Sequence, residues 1–327
     1  MRNFEYLAPS QVKAAAQALS ENDGVTAVLA GGTDLLSLMK QRVSNPQRVV
    51  SLRNITELRG ISKEGRGIRI GAMATVEDLL GSKLAAPYTS LTHAAMGISS
   101  PQMRAMGTVV GDLLQRPRCW YYRNGHGLLA MHEGKSLVPN GENRYHAILG
   151  NKGPAYFVSA SSFAPALIAL GAKVTVANAE GERQIPVEKL FQIPGSEGER
   201  ENSLKPNEIV TEIVLPDASG WKTATYEVRQ RRLMDWPLAV ASVAYKMSGN
   251  NISDARVVLG HVAPIPWRSS EAETALNGKG FNDGNAEAAG KAAVAVATPL
   301  SQNTAKVQLA RIAVKRAVQL AGGKTVV

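Results

Sequence analysis

The residues with most to offer chemically sit in two glycine turns about 75 positions apart: Ala30-Gly31-Gly32-Thr33-Asp34-Leu35 and Gly107-Thr108-Val109-Val110-Gly111-Asp112-Leu113. A turn without bulky side chains lets a phosphate reach the backbone, and unpaired N–H groups at a helix start attract that anion. Thr33 and Thr108 add hydroxyls. Two such turns suit one extended ligand gripped at two places, most simply a dinucleotide. Taken singly each signal is weak, because Gly-Gly pairs mark plain tight turns more often than phosphate sites. Neither segment spells GxGxxG or the GK[ST] ending of a P-loop.

Other chemistry is limited by composition. The single cysteine, Cys119, cannot form an internal disulfide, hold an iron–sulfur cluster or complete a thiolate zinc site. The histidines at 93, 126, 132, 146 and 261 show no HExxH-like spacing. Net charge is +10, yet basic residues are scattered and no aromatic platform interleaves them. The densest groups, Arg116-Pro117-Arg118 with Arg123 and Arg229-Gln230-Arg231-Arg232, suit local anion or subunit contacts better than nucleic acid, which is not expected as a partner.

The elements that must position the turns follow from the hydrophobic pattern. A chain of 327 residues with 44% hydrophobic and 20% charged residues has room for two globular domains. No run approaches the ~20 apolar residues of a membrane helix, and Met1–Tyr6 lacks a secretory apolar core. Membrane insertion is therefore not expected. The expected location is cytoplasmic, or periplasmic if the chain is exported with a signal-bearing partner.

The pattern predicts a helix over 9–19 with Ser10 as its cap, a buried strand over 25–29, and a helix from Leu35 to Lys40. A strand over 48–52 closes a first α/β unit. A second unit has strands at 68–72, 155–158, 173–176 and 209–215, and helices at 76–80, 89–96 and 165–171. Between them, 121–153 reads as a long ordered loop, and loops of that length commonly have a functional cause. Residues 195–208 read as polar and mobile. Beyond Pro216 come strands at 223–229, 239–247 and 255–260, then helices at 270–276, 285–297 and 304–320, an α+β order.

Several stretches together resemble a known family. They are Ala30–Leu35 with Met39-Lys40, Ser100–Thr108, Leu114–Arg123, Gly141–Ala147, Asp235–Ala239, Gly260–Pro264 and Pro266–Arg268. In this order they are similar to the FAD-binding medium subunit of molybdenum hydroxylases, the group of xanthine dehydrogenase, carbon monoxide dehydrogenase and aldehyde oxidoreductases. The nearest branch is that of 4-hydroxybenzoyl-CoA reductase and the bacterial aldehyde oxidoreductase.

The resemblance implies an α+β protein. Its first domain, 1–218, is a two-lobed FAD-binding fold of the vanillyl-alcohol-oxidase/PCMH type, with lobes about 1–58 and 59–218. A C-terminal domain of antiparallel sheet and helices follows at 219–327. It implies FAD contacts at Leu29, Ala30, Gly31, Gly32, Thr33, Asp34 and Leu35 around the pyrophosphate. A second set, Ile98, Ser99, Gly107, Thr108, Gly111, Asp112 and Leu113, would lie near the isoalloxazine and ribityl chain. Ser162 stands where an aspartate commonly meets the flavin, and Glu227, beside Arg229, stands where a lysine is usual. Valine at 110 replaces the family's first glycine, removing easy access to positive φ.

The implied activity is electron transfer in a heteromeric oxidoreductase. The partners would be a small [2Fe–2S] subunit and a large molybdenum–pterin subunit that carries out the substrate chemistry. The flavin would hand electrons to NAD, quinone, oxygen or another acceptor. In the nearest branch the 121–153 insertion carries a [4Fe–4S] cluster on four cysteines; with Cys119 alone, none is expected here. The alternatives are a flavin-depleted structural subunit or a stand-alone FAD oxidoreductase.

Overall fold

The computed structural model describes residues 1–20, 25–231 and 235–326. The N-terminal unit comprises β1 (Glu5–Leu7), α1 (Val12–Ser20), β2 (Thr26–Leu29), α2 (Leu35–Lys40) and β3 (Arg48–Ser51). Its strands form a parallel sheet in the order β1-β3-β2, with Val49 and Val50 buried on the central strand. Parallel pairing forces crossovers, and β2 leaves the sheet at its C-terminal end through the first glycine turn into α2.

The second unit is an antiparallel sheet in the order β4-β5-β10-β8-β9, from β4 (Ile61–Glu64), β5 (Gly67–Gly71), β8 (Lys173–Ala177), β9 (Glu182–Pro186) and β10 (Ile209–Leu215). Between β5 and β8 the chain makes α3 (Val76–Gly81), α4 (Thr89–Gly97), α5 (Pro101–Met106), α6 (Val109–Leu113), α7 (Trp120–Arg123), the hairpin β6 (Met131–His132) with β7 (Lys135–Ser136), and α8 (Ala164–Ala169). The third unit is the sheet β11 (Lys222–Val228), β12 (Ala239–Ser248), β13 (Asn251–Gly260) and β14 (Trp267–Arg268), covered by α9 (Ser270–Leu276), α10 (Asp283–Ala293) and α11 (Thr304–Ala321).

One apolar core runs from Leu19 and Val50 through Ile70 and Phe163 to Val258, so the first two units and the inner edge of the third are packed together. A second core lies between β12, β13 and α9–α11. A third, small cluster joins Leu38 of α2 to Tyr122, Leu128, Leu129, Ala155 and Phe157.

Three local expectations change. Residues 155–158 form no strand; Ala155 and Phe157 are buried in the small cluster instead, and neighbouring amides bond to isolated carbonyls, as Ser159 N–H does to Ala263 O. The alternation there serves burial rather than strand pairing. The second glycine turn does not follow a strand but joins two short helices, α5 and α6. The 195–208 segment is tied down, with the Glu197 carboxylate accepting from the N–H groups of Leu128 and Leu129 at 2.8 Å each. The long loop is also pinned: the N–H groups of Ile148 and Leu149 both donate to Val262 O.

Candidate functional site

A cleft of about 590 Å³ opens beside the first glycine turn, a size within the usual range for an organic cofactor. Ala30, Gly31, Gly32, Thr33, Asp34 and Leu35 line one side, and Thr108, Val110 and Gly111 line the other. Among the described residues, none of the N–H groups from Ala30 through Leu35 donates to a protein acceptor. Polar groups of this kind are normally paired in a folded protein. A run of unpaired amides facing a cleft fits a diphosphate, and the Thr33 hydroxyl adds a further donor.

Why the backbone holds this shape is visible at two glycines. Gly32 has φ of +78°, a left-handed conformation that costs an L side chain roughly 1–2 kcal/mol. Gly31 is needed for a different reason: a Cβ there would lie 1.8 Å from Met106 O and 3.3 Å from Gly107 Cα. The two glycine turns are packed backbone on backbone, so the same contact that brings them together also sets the cleft width.

The other expected residues divide clearly. Leu29 ends β2 and places its side chain under Gly32, while Leu113 is buried in the core. Gly107 caps α5, donating to Met103 O at 2.7 Å and accepting from Val76 N–H at 2.9 Å. Ile98 and Ser99 lie in the link between α4 and α5, where the Arg104 guanidinium donates to Ile98 O. None of these five lines the cleft. Val110 sits within α6 without positive φ, so the branched side chain is accommodated there.

Asp34 lines the cleft, but its carboxylate is taken up by protein partners. Its carboxylate accepts from Arg116 N–H at 2.9 Å and from the Arg123 guanidinium at 2.8 Å, with Arg118 at 3.7 Å. It therefore anchors the 116–123 segment, which carries Arg116 and Tyr122 into the opposite wall. Arg229 is likewise engaged locally, by Glu227 at 2.5 Å, Gly97 O at 2.7 Å and Asp235 O at 2.8 Å. Burial pushes the Glu227 carboxyl above its ordinary value, with Arg229 opposing. Ser162 is buried, and neither it nor Arg229 reaches the cleft.

Asp112 turns inward to cap α8, accepting from Ser161 Oγ at 2.6 Å and Phe163 N–H at 3.1 Å, with Gln115 Nε2 at 2.8 Å on its other oxygen. Burial pushes its pKa up from 3.8 to about 6, against those hydrogen bonds. The folded state thus binds this proton more tightly than the unfolded chain. Its contribution falls as pH rises from the ordinary value through about 6, a loss of about 3 kcal/mol in all. Asp112→Asn is expected to stabilise the protein more at about pH 8 than at about pH 5, by about 1 kcal/mol, read as the difference in urea unfolding free energies. An equal effect at both pH values would show that Asp112 is not the buried acid described.

Sequence reading missed much of the far wall. Glu197, Arg200, Asn202, Leu204, Pro206 and Glu208 all line the cleft. Within a polar run, the only available signal was Gly198 and Pro206, breakers that turn the chain back toward β10. Cys119 lies outside the cleft, its Sγ 3.2 Å from His146 Nε2; burial raises the thiol's pKa and lowers the imidazole's to about 4, so the pair is an unactivated contact.

Comparison with known proteins agrees with this geometry. Residues 2–218 match the family described as the FAD binding domain in molybdopterin dehydrogenase, and 224–320 match the CO dehydrogenase flavoprotein C-terminal domain. The carbon monoxide dehydrogenase medium chain of Hydrogenophaga pseudoflava is 31% identical over 300 residues, covering 90% of this chain and 88% of that one. The aldehyde oxidoreductase FAD-binding subunit PaoB of Escherichia coli (strain K12) is 29% identical over 86% of this chain and 87% of its own. A solved structure of the Hydrogenophaga enzyme, lacking the Mo-pyranopterin moiety of its cofactor, superposes with a TM-score of 0.77 at 30% identity over 98% of each chain. The protein belongs to the FAD-binding flavoprotein family of the molybdopterin dehydrogenases.

Proposed function

We propose that this chain is the FAD-binding electron-transfer subunit of a heteromeric molybdenum hydroxylase, an oxidoreductase related to the carbon monoxide and aldehyde enzymes. The unpaired amides of Ala30–Leu35 along the cleft are the observation that carries the reading. They would hold the FAD diphosphate, with Thr33 and Thr108 beside it, while Arg116 and Tyr122 close the opposite wall. Of the residues expected from the resemblance, Leu29 and Gly107 pack against the first turn, while Ile98, Ser99, Asp112, Leu113, Ser162 and Arg229 stand outside the cleft lining.

When bound, FAD supplies one- and two-electron redox chemistry; the protein supplies position and electrostatics. The amide dipoles and the net charge of +10 favour an anionic cofactor. No side chain of this subunit need act as acid or base on the organic substrate. That chemistry belongs to the large molybdenum–pterin subunit, with a small [2Fe–2S] subunit delivering electrons and an external acceptor removing them. The two domains would be 1–218 and 219–327. Among the described residues no helix is long and apolar enough to cross a membrane; the complex would be cytoplasmic, or periplasmic if a partner carries an export signal. Heat release of flavin from the isolated complex, counted against this chain, is expected to give one FAD per subunit. A stoichiometric complex devoid of flavin would instead assign the chain a purely structural role.

A further inference from the structure

Apart from the FAD cleft lies a second cavity, of about 430 Å³, where the 118–120 and 145–160 segments meet β11–β12, His261 and α11. It shares no lining residue with the cleft. Its walls include four aromatic side chains, Trp120, Tyr145, Phe157 and Trp236. Flat rings of this kind accept a planar ring by edge or face contact.

Several polar groups in that wall are incompletely matched by the protein: His261 and Lys306, and also Arg118 Nε and His146 Nδ1, which have no hydrogen-bond partner among the described residues. His261 is only 4% exposed and adopts a strained φ of +60°, and its Nε2 has no hydrogen-bond partner among the described residues. Strain of this kind at a non-glycine residue persists where surrounding structure imposes it, often at a ligand site. Lys306 is also 4% exposed, and its ammonium meets only the carbonyls of Tyr145 at 2.9 Å and His146 at 3.0 Å. Among the described residues no carboxylate pairs with it, although a buried cation ordinarily has one. Nearby, Arg118 stacks on the Trp236 ring with its guanidinium carbon 4.3 Å from the centroid. The one lining carboxylate, Asp235, is engaged by Arg231 at 2.8 Å.

We propose that this cavity is a binding site for a small planar aromatic molecule bearing an acceptor oxygen, either a carboxylate or a quinone carbonyl. The ring lies among the aromatic walls, and the oxygen meets Lys306 and His261. Carboxylate and quinone share this recognition chemistry, and separate probes tell them apart.

The test uses the full chain as purified, titrated calorimetrically with 2-naphthoate and, separately, with tetramethylbenzoquinone. Wild type is expected to bind at least one of them, and the tighter binder identifies the ligand class. Cyclohexanecarboxylate, which has the charge without the ring, is expected to bind at least tenfold more weakly. His261→Asn retains a residue that tolerates positive φ and should weaken the preferred probe at least tenfold. Lys306→Met should do the same, and Val158→Phe, which fills the cavity, should abolish binding. Flavin content, read by absorbance, should be unchanged in all three variants. The proposal is overturned if neither probe binds, if cyclohexanecarboxylate binds as tightly, if the variants bind as wild type does, or if the probe displaces FAD. A protein that takes up no FAD when it is offered, yet still shows this binding pattern, would refute the FAD assignment and leave the second site standing.

Discussion

Gly31→Ala is expected to strip the protein of FAD and to lower its unfolding free energy by about 3 kcal/mol. The added Cβ would fall 1.8 Å from Met106 O, a backbone atom that no side-chain rotation can move. The two turns must separate, and the amides of Ala30–Leu35 leave their common surface. Gly32→Ala makes a useful contrast. The nearest atoms to its Cβ belong to the flexible Leu36 and Leu29 side chains, at 3.0 and 3.2 Å, and the positive φ costs roughly 1–2 kcal/mol. Flavin absorbance per chain, together with urea unfolding, should therefore rank Gly31→Ala below Gly32→Ala, although only Gly32 is left-handed. The opposite ranking would show that the packing of turn on turn does not set the site.

Asp34→Ala is expected to cost about 2–3 kcal/mol and to weaken FAD at least tenfold. The carboxylate is half of a mostly buried cluster: side-chain exposure is 16% for Asp34 and 13% for Arg123. Its removal takes the carboxylate from Arg123, which keeps only the carbonyls of Arg116 and Pro117, leaves the Arg116 N–H without its acceptor, and loosens the segment that brings Arg116 and Tyr122 to the cleft. Asp34→Asn keeps one acceptor oxygen and should recover part of both losses. If Asp34 touched the cofactor directly, FAD affinity would fall with no change in stability; the structure predicts that the two fall together.

The sequence made the frame readable where one physical cause dominates. Val25–Leu29 is apolar and rich in β-branched residues, so it became the strand that launches the first turn; Ala239–Met247 and Ala255–Gly260 paired as expected because most of their residues are buried. The first turn was legible because glycines leave the backbone bare. What was not legible depends on partners distant in sequence. Gly31 looked like an approach path for phosphate, but its neighbour is the carbonyl of residue 106. The resemblance implied Asp34 and Asp112 as ligand contacts, whereas the carboxylate of one anchors an arginine segment and that of the other holds the start of α8. Glu197–Glu208 gave no periodicity, because it is held by a few carboxylate-to-amide bonds rather than by a buried face. Ala155–Phe157 alternated like a strand while filling a small cluster.

The most direct measurement is amide hydrogen exchange across residues 30–35 in flavin-free protein before and after adding FAD. Protection of those amides is expected to rise at least tenfold, with the solvent-facing β4–β5 turn at 65–66 unchanged. FAD that binds while exchange at Ala30–Leu35 stays as it was would contradict a diphosphate held by that turn.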